Sequence, residues 1–230
     1  MRNQKSALSS KSLAKMTRTP MKVAALLALA AIGSAASVFD ANDMMDRILT
    51  EMGHEASRLE LDPIRAYRFE LTVKGSGLGG EIKAHFPEAV FTGLGSITRA
   101  ERCSHLVRGS NLKMKCYVSL SEIKFAMHAS LAVDGPPAKD LITTESSVGS
   151  DVLALIGIER TNGRVTVNVI KPPTFALTTK VVRGELPFED LRYSDFEREL
   201  HAEISKQLVT ILDDRYRYDM EYIAGRTLDL

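Results

Sequence analysis

The stretch Tyr193–Gly225, YSDFERELHAEISKQLVTILDDRYRYDMEYIAG, decides how we expect the rest of the chain to fold. Its apolar residues recur at helical spacing along one stripe: Phe196, Leu200, Ile204, Leu208, Ile211 and Leu212, then less regularly Tyr216, Met220 and Ile223. Ser194, with Glu197 three residues later, matches a capping box, and Gly225 suits a helix end. Roughly thirty residues at 1.5 Å each predict a helix of about 45 Å. Such a helix needs a long apolar partner surface.

Alternating strands between about residues 67 and 183 supply that surface. Apolar residues occupy every second position in three clear runs: Tyr67, Phe69, Leu71 and Val73; Ile82, Ala84 and Phe86; and Ile123, Phe125, Met127, Ala129, Leu131 and Val133. We count about seven strands joined mostly by short turns. The pattern predicts an antiparallel sheet with one apolar face.

Two short turns predict which strands pair. Asn162-Gly163 favours a type I′ hairpin, which places Ile158 opposite Val167 and Ile156 opposite Val169. Gly109-Ser110 favours a type II′ hairpin. Its register places Arg108 opposite Asn111, Val107 opposite Leu112 and His105 opposite Met114, with Val107, Leu112, Met114 and Val118 on the side of the cysteines.

The second hairpin also brings Cys103 opposite Cys116, the two cysteines of the chain. They fall at a position without ladder hydrogen bonds, where Cα atoms lie about 4.5 Å apart, within the range of a disulfide. The alternatives are two buried free thiols or a metal site. The five histidines offer no recognised ligand spacing, so we predict a disulfide and no metal.

An amphipathic helix precedes the strands. The residues Met45, Ile48, Leu49, Met52, Ala56 and Leu59 have helical spacing, Asp40 and Asn42 are available as caps, and Pro63 acts as a stop.

The start of the chain resembles a secretory signal peptide. Residues 1–36 hold six basic and no acidic side chains, followed by the apolar run VAALLALAAI and the small residues GSAAS. The apolar run is far shorter than the ~20 residues of a membrane span. We therefore predict cleavage after Ala36 and a secreted, extracellular protein. Initiation at Met16 or Met21, or a mitochondrial presequence, are the alternatives.

Removing the leader changes the charge balance. The whole chain has 30 basic and 29 acidic residues, so loss of six basic ones leaves 24 against 29, a net charge of −5. This balance gives no electrostatic reason to bind nucleic acid or an anionic bilayer, and no later apolar run predicts stable membrane insertion. Residues 37–230 are expected to form a single domain.

Three glycines, Gly75, Gly77 and Gly80, spell the G-x-G-x-x-G of dinucleotide-binding loops after a strand. That motif requires a helix to follow. The residues that follow here, GEIKAHFPEAV, alternate like a strand and contain Pro87. We therefore interpret the glycines as a loop between two strands and predict no cofactor.

These elements predict an α+β fold in which a strongly curved antiparallel sheet wraps around the long C-terminal helix, with an N-terminal amphipathic helix. The arrangement buries the apolar face of the sheet and the stripe of the helix together. A lipocalin-like barrel is the nearest alternative, but its short C-terminal helix lies outside the barrel.

The element order, the leader, the size and the passage AVFTGLGSITRAERC at Ala89–Cys103 resemble the tubular lipid-binding (TULIP) superfamily. The resemblance extends over residues 38–228 and is greatest to the arthropod mite group-seven allergens. It is more distant to the takeout and juvenile-hormone-binding proteins, whose disulfide is N-terminal whereas the cysteines here lie mid-chain. The resemblance implies a super-roll with an apolar tunnel between helix and sheet that holds a lipid or other hydrophobic ligand.

Inward positions of the strands and the long helix would line such a tunnel: Phe125, Met127, Leu131, Ile156, Ile158, Val167, Val169, Leu208 and Leu212. The same positions also suit an ordinary packed core. Methionines in the helices and strands favour an adaptable cavity, because their side chains are flexible and polarisable.

Enzyme motifs are missing from the sequence, which contains no G-x-S-x-G, H-E-x-x-H, P-loop or C-x-x-C. His54 beside Glu55, and His201 near Glu199 and Glu203, are interpreted as solvated helix-face residues. Cys103 and His105 lie two apart on one strand, but a disulfide would remove the thiol. We predict no catalytic residue.

The sequence therefore favours a secreted, non-enzymatic carrier or scavenger of a lipid or other hydrophobic small molecule. The alternative is a secreted interaction or host-defence protein with a self-filled core, which binds no ligand and acts through its surface on an unknown protein partner.

Overall fold

The computed structural model describes residues 41–74, 81–133, 141–170, 175–186 and 190–228, and in these residues a run of strands lies between an N-terminal and a C-terminal helix in the sequence. These residues belong to one compact unit, Val38–Leu230. Helix α1 covers residues 41–55, and the C-terminal helix consists of α2 (Asp190–Ile211), a π-helical turn (Leu212–Tyr216) and α3 (Arg217–Leu228). The strands are β1 (Ile64–Arg65), β2 (Phe69–Lys74), β3 (Glu81–Thr92), β4 (Thr98–Arg99), β5 (Ser104–Arg108), β6 (Asn111–Ser119), β7 (Lys124–Val133), β8 (Leu141–Val148), β9 (Leu153–Thr161), β10 (Arg164–Ile170) and β11 (Leu177–Arg183).

The strands form two antiparallel sheets, where the sequence predicted one. Sheet A has six strands in the order β1-β3-β7-β8-β11, and β2 also pairs with β3. Sheet B has five strands in the order β10-β9-β6-β4, and β5 also pairs with β6. The α+β class is confirmed. The division into two sheets was not predictable, because periodicity reveals which face of a strand is apolar but not which strands are neighbours.

Sheet A curves around α2, since both of its edges contact that helix. At one edge, the Gln207 side chain accepts a hydrogen bond from the Tyr67 amide over 2.9 Å and donates one to the Tyr67 carbonyl over 3.1 Å. At the other edge, Thr179 of β11 lies 2.8 Å from His201 Nε2. Four strand spacings would separate the edges of a flat sheet by about 19 Å. A helix with side chains is only about 10–12 Å wide, so the sheet must wrap around it.

Helices α1 and α3 flank sheet B. Asp46 of α1 forms two hydrogen bonds with the Arg99 guanidinium of β4, over 2.8 and 2.7 Å. At the opposite edge, Glu221 of α3 accepts a hydrogen bond from the Val167 amide of β10 over 3.0 Å. Side chains from both helices thus satisfy polar groups along the margins of the sheet, which would otherwise be open. Asn42, expected as a cap, instead lies inside α1 and accepts a hydrogen bond from the Cys103 amide over 2.9 Å.

The C-terminal helix keeps one buried face over its whole length. Its buried residues recur every four positions: Phe196, Leu200, Ile204, Leu208, Leu212, Tyr216, Met220, Ala224 and Leu228. An α-helix turns every 3.6 residues, so this stripe would drift around the axis. The π-helical turn has more residues per turn and compensates for part of the drift. It lets the four-residue spacing continue through Tyr216 to Leu228 on one face.

Both ends of this helix differ from the prediction. It begins at Asp190, ahead of the expected capping box at Ser194, and continues past Gly225 to Leu228. A glycine does not end a helix whose next turn still packs against the core, because burial outweighs a propensity cost of about 1 kcal/mol.

Strand β3 contains a bulge that the alternation pattern did not reveal. Its register with β7 shifts between His85 and Glu88, around Pro87. Proline has no amide hydrogen to donate, so it fits the bulge better than the regular ladder. Because the bulge reverses the alternation, Phe86 before it and Phe91 after it both point inward and are fully buried.

Strand β8, LITTESSV, was missing from the sequence prediction. Its inward side chains include Ile142, Thr144, Ser146 and Val148. Two of these four are polar, so the apolar alternation used to find strands fails here. The β-branched residues Ile142, Val148 and the two threonines were the weaker signal that was available.

Both predicted hairpins are confirmed. Val167 pairs with Ile158 and Val169 with Ile156, and Asn162 and Gly163 have the positive φ angles, 53° and 77°, of a type I′ turn. The Gly109-Ser110 hairpin has the expected register. Val107 does not join the buried side, however, because β5 extends beyond the core and leaves this side chain 58% exposed.

The glycine loop, residues 75–80, lies outside the described residues. Strand β3 follows it and pairs with β2, with Lys74 opposite Glu81. A dinucleotide-binding motif requires a helix directly after its last glycine, and here a strand follows instead.

Candidate ligand-binding interior

The nine predicted lining residues all lie in the core between the sheets and helices. Each is at most 5% exposed, and all belong to one continuous cluster of buried apolar residues. Phe125, Met127 and Leu131 come from sheet A, the pairs Ile156/Ile158 and Val167/Val169 from sheet B, and Leu208 and Leu212 from the C-terminal helix. Burial is expected of a packed core and of a closed tunnel alike, so the tunnel stays a prediction.

Three pockets on the described part of the chain lie largely outside this set of residues. A groove of about 1040 Å³ separates α1 from α3, and two smaller pockets have volumes of about 310 and 300 Å³. Of the nine predicted residues, these three pockets include Val167 alone, at the smaller pocket on sheet B. The large groove has mixed charged and apolar walls: Asp43, Met44, Asp46, Arg47, Thr50, Glu51, Ile223, Arg226, Thr227 and Leu228. It is therefore distinct from the predicted apolar tunnel.

A few polar side chains are buried within the apolar core. Gln207 is bound to the Tyr67 backbone, and Asp219 accepts a hydrogen bond from Arg215 over 2.9 Å. The hydroxyls of Thr144 and Tyr216, by contrast, have no hydrogen-bond partner among the described residues. Burial raises the pKa of the Tyr216 hydroxyl, which is therefore a neutral donor. Unpartnered buried hydroxyls are unusual in proteins and each one requires an explanation.

A hydrogen-bond chain links strands β8 and β11 to α2. Ser146 Oγ lies 2.7 Å from Thr179 Oγ1, which lies 2.8 Å from His201 Nε2. Glu197 Oε1 is 3.7 Å from the same imidazole nitrogen. Burial lowers the pKa of His201, while the Glu197 carboxylate acts in the opposite direction. His201, expected to be a solvated helix-face residue near Glu199 and Glu203, is only partly solvated: the curvature of sheet A brings β11 over it and leaves the side chain 23% exposed.

The chain of hydroxyl, imidazole and carboxylate differs from a catalytic triad. In a triad, the acid binds the imidazole nitrogen opposite to the one that faces the nucleophile. Here Thr179 and Glu197 both approach Nε2 of His201. Cys103, the other nucleophile considered, is bonded to Cys116. Thr144, Ser146 and Thr179 were not predicted from the sequence, because they are polar residues at positions where apolar alternation was expected.

The disulfide between Cys103 and Cys116 is confirmed, with a Cα–Cα distance of 4.4 Å against about 4.5 Å expected. Within the described ranges, no helix is long and apolar enough to cross a membrane. The same ranges contain no group of three or more His, Cys, Asp or Glu side chains placed to hold a metal ion.

Comparison with known proteins adds little. No family model matches the chain, and no curated protein matches its sequence. Among solved structures, the chain is similar to the crystal structure of lipopolysaccharide binding protein, with 11% sequence identity and a TM-score of 0.41. The match covers 83% of this chain and 39% of that one, so this chain spans about two fifths of that chain's length.

Proposed function

We propose that this protein is a secreted, non-enzymatic carrier or scavenger that binds a lipid or other hydrophobic small molecule between the long helix and the sheets, in a TULIP-like fold. The observation that carries the proposal is the continuous cluster of buried apolar residues that lies between the two sheets and the helices. Burial of apolar ligand surface there provides the driving force, at about 25 cal/mol per Å².

Binding requires the interior to open, because the nine predicted residues are closed to solvent. Met127 and the buried Met45, Met52, Met114 and Met220 contribute flexible side chains that can rearrange around a guest. The disulfide between Cys103 and Cys116 supports the secreted part of the proposal, since such bonds persist in oxidising compartments.

The proposal is tested by purifying the protein under native conditions from a secreting host, extracting it with organic solvent and analysing the extract by mass spectrometry. We expect a stoichiometric hydrophobic molecule that is missing from the extract of protein refolded from urea. Refolded protein should also bind the uncharged fluorescent probe N-phenyl-1-naphthylamine. An empty native protein that does not bind this probe would contradict the proposal.

A matched pair of variants locates the site. Ala129 is fully buried on β7 between Met127 and Leu131, whereas Ala126 is exposed on the opposite face of the same strand. Ala129→Leu fills interior space and should weaken probe binding at least fivefold, while Ala126→Leu should leave it unchanged. Thermal unfolding confirms that both variants fold. Equal probe affinity in the two variants would place the site elsewhere.

A surface-acting protein without ligand is the second candidate, and one observation favours it. Leu106 and Val107 are 47% and 58% exposed near the tip of the β5–β6 hairpin. Since successive strand residues point to opposite faces, the hairpin presents one exposed apolar side chain on each face to a protein partner. Capture of a defined secreted partner by the wild type but not by Leu106→Ser/Val107→Ser, from a protein that binds no lipid, would support this candidate.

A further inference from the structure

Strand β8 places two polar side chains on the inner face of sheet A, where the neighbouring strand β7 is apolar. Thr144 is 0% exposed and pairs with Met127, and Ser146 is 1% exposed and pairs with Phe125. On the other side, β11 places Thr179 opposite Ser146. Polar groups are costly in such surroundings unless they serve as hydrogen-bond partners.

We define the polar seam as Thr144, Ser146, Thr179 and His201. Three of its members form the hydrogen-bond chain from Ser146 through Thr179 to His201. The His201 side chain retains 23% exposure, so the seam extends from the surface at α2 into the buried interior. The inner end at Thr144 has a hydroxyl with no partner among the described residues.

The seam can both donate and accept hydrogen bonds. If His201 Nε2 carries the proton, it donates to Thr179, Thr179 donates to Ser146, and the Ser146 proton is left for another acceptor. In the other tautomer Ser146 donates to Thr179, Thr179 donates to His201 Nε2, and the Ser146 oxygen keeps a free lone pair. The Thr144 hydroxyl can likewise donate or accept. The seam can therefore bind a ligand oxygen that donates a hydrogen bond or one that accepts it.

We infer that the polar seam binds the polar end of a single-chain amphiphile, a carboxyl or hydroxyl group, while its hydrocarbon chain lies along Phe125 and Met127. This inference rests on the proposed function and names the ligand class. A ligand oxygen would satisfy the Thr144 hydroxyl, which a hydrocarbon leaves unpaired. The seam contains no lysine or arginine to neutralise an anion, so a phosphorylated head group does not fit within it, and a carboxyl group binds there in its protonated form, which burial favours.

The test uses Thr144→Val, which removes the hydroxyl and keeps the shape of the side chain. Dodecanoic acid, 1-dodecanol and 1-dodecene are used to displace N-phenyl-1-naphthylamine from the refolded protein. We expect the variant to bind the acid and the alcohol about five- to tenfold more weakly than the wild type. Its affinity for 1-dodecene and for the fluorescent probe should change less than twofold.

Thr178→Val is the control, because Thr178 is exposed on the opposite face of β11. It should bind all four molecules like the wild type. Thr179→Val breaks the hydrogen-bond chain and should show the same selective loss of affinity for the acid and the alcohol. It can therefore replace Thr144→Val in the test if that variant does not fold.

The two proposals fail in different ways. A wild-type protein that binds neither the probe nor any of the three dodecyl compounds overturns the proposed function and the inference together. If the wild type binds the probe and 1-dodecene, but Thr144→Val changes the affinity for all ligands equally or not at all, only the inference about the polar seam is overturned.

Discussion

Tyr216 is the largest of the fully buried side chains, and its hydroxyl has no hydrogen-bond partner among the described residues. It lies in the π-helical turn, where the C-terminal helix passes from its contacts with sheet A to those with sheet B. A buried hydroxyl without a partner loses its bonds to water on folding and gains none in return.

Tyr216→Phe should therefore stabilise the ligand-free protein, raising the free energy of unfolding by about 1 kcal/mol. Urea denaturation measures this change. Tyr218→Phe is the control, because Tyr218 is 67% exposed and its hydroxyl remains hydrated, so stability should hardly change. A loss of stability in Tyr216→Phe would show that the hydroxyl has a partner.

His201 makes stability depend on pH in a defined direction. Burial lowers its pKa in the folded protein below the ordinary value of 6.5, so the unfolded chain takes up the proton first as pH falls. Its contribution is present above about pH 6.5 and is lost as pH falls through the folded-state pKa. The wild type should consequently lose more stability between pH 7 and 5 than His201→Gln, which has no titrating imidazole.

Urea denaturation at several pH values measures the difference, and His54→Gln serves as the control because His54 is exposed on α1. We expect His54→Gln to follow the wild-type profile. Parallel profiles for the wild type and His201→Gln would contradict the assignment of this pH dependence to His201.

At the scale of elements, side chains of the C-terminal helix complete the margins of both sheets. Gln207 occupies the place that a neighbouring strand would take at Tyr67, because its amide both accepts and donates a hydrogen bond there. Glu221 performs the accepting half of this role at Val167. The helix thus protects sheet edges that would otherwise be open to pairing with another chain.

Gln207→Ala should lower the free energy of unfolding by about 2 kcal/mol, because it leaves an amide and a carbonyl of Tyr67 without partners. Urea denaturation measures the loss, and faster hydrogen exchange at the Tyr67 amide should accompany it. Lys206→Ala, at a side chain that is 76% exposed, should cost at most about 0.5 kcal/mol. Similar costs for the two variants would exclude the bridging role of Gln207.

The elements also show where prediction from sequence succeeds. Hairpins such as Ile156–Val169 were placed in register because Asn162-Gly163 specifies its own turn geometry. Strand β8 was missed because Thr144 and Ser146 face the core, and the bulge at Pro87 was missed because alternation continues on both sides of it with reversed sense. A turn is specified by the residues that form it, whereas inward polar residues and a bulge are stabilised by neighbours that are distant in the sequence.

At the scale of the whole molecule, the disulfide and the predicted leader both belong to the hypothesis that the protein is secreted. Expression of the full chain in a secreting host should release a protein that begins at Ser37, directly after the predicted cleavage site. Intact mass spectrometry should show a mass lower by two hydrogens than that of the reduced chain. Retention of residues 1–36, or two free thiols, would contradict it.

The disulfide should stabilise the whole molecule. It closes a loop between residues 13 apart in sequence, and a loop of this length corresponds to about 3 kcal/mol. Replacing both cysteines by serine should lower the free energy of unfolding by about that amount, measured in urea. Added reductant should weaken the wild type and leave the double variant unchanged. A double variant as stable as the oxidised wild type would show that the bond contributes nothing.

The sequence by itself determined the α+β class, the long final helix, two hairpin registers and the pairing of Cys103 with Cys116, because each depends on spacing along the chain. The tertiary structure decided the division into two sheets, the wrapping of sheet A around α2 and the position of His201 beside Thr179. Those features depend on which surfaces meet, and the residues concerned are brought together only by curvature. The polar seam, with its unpartnered Thr144, exists for the same physical reason: β8 and β11 close over α2.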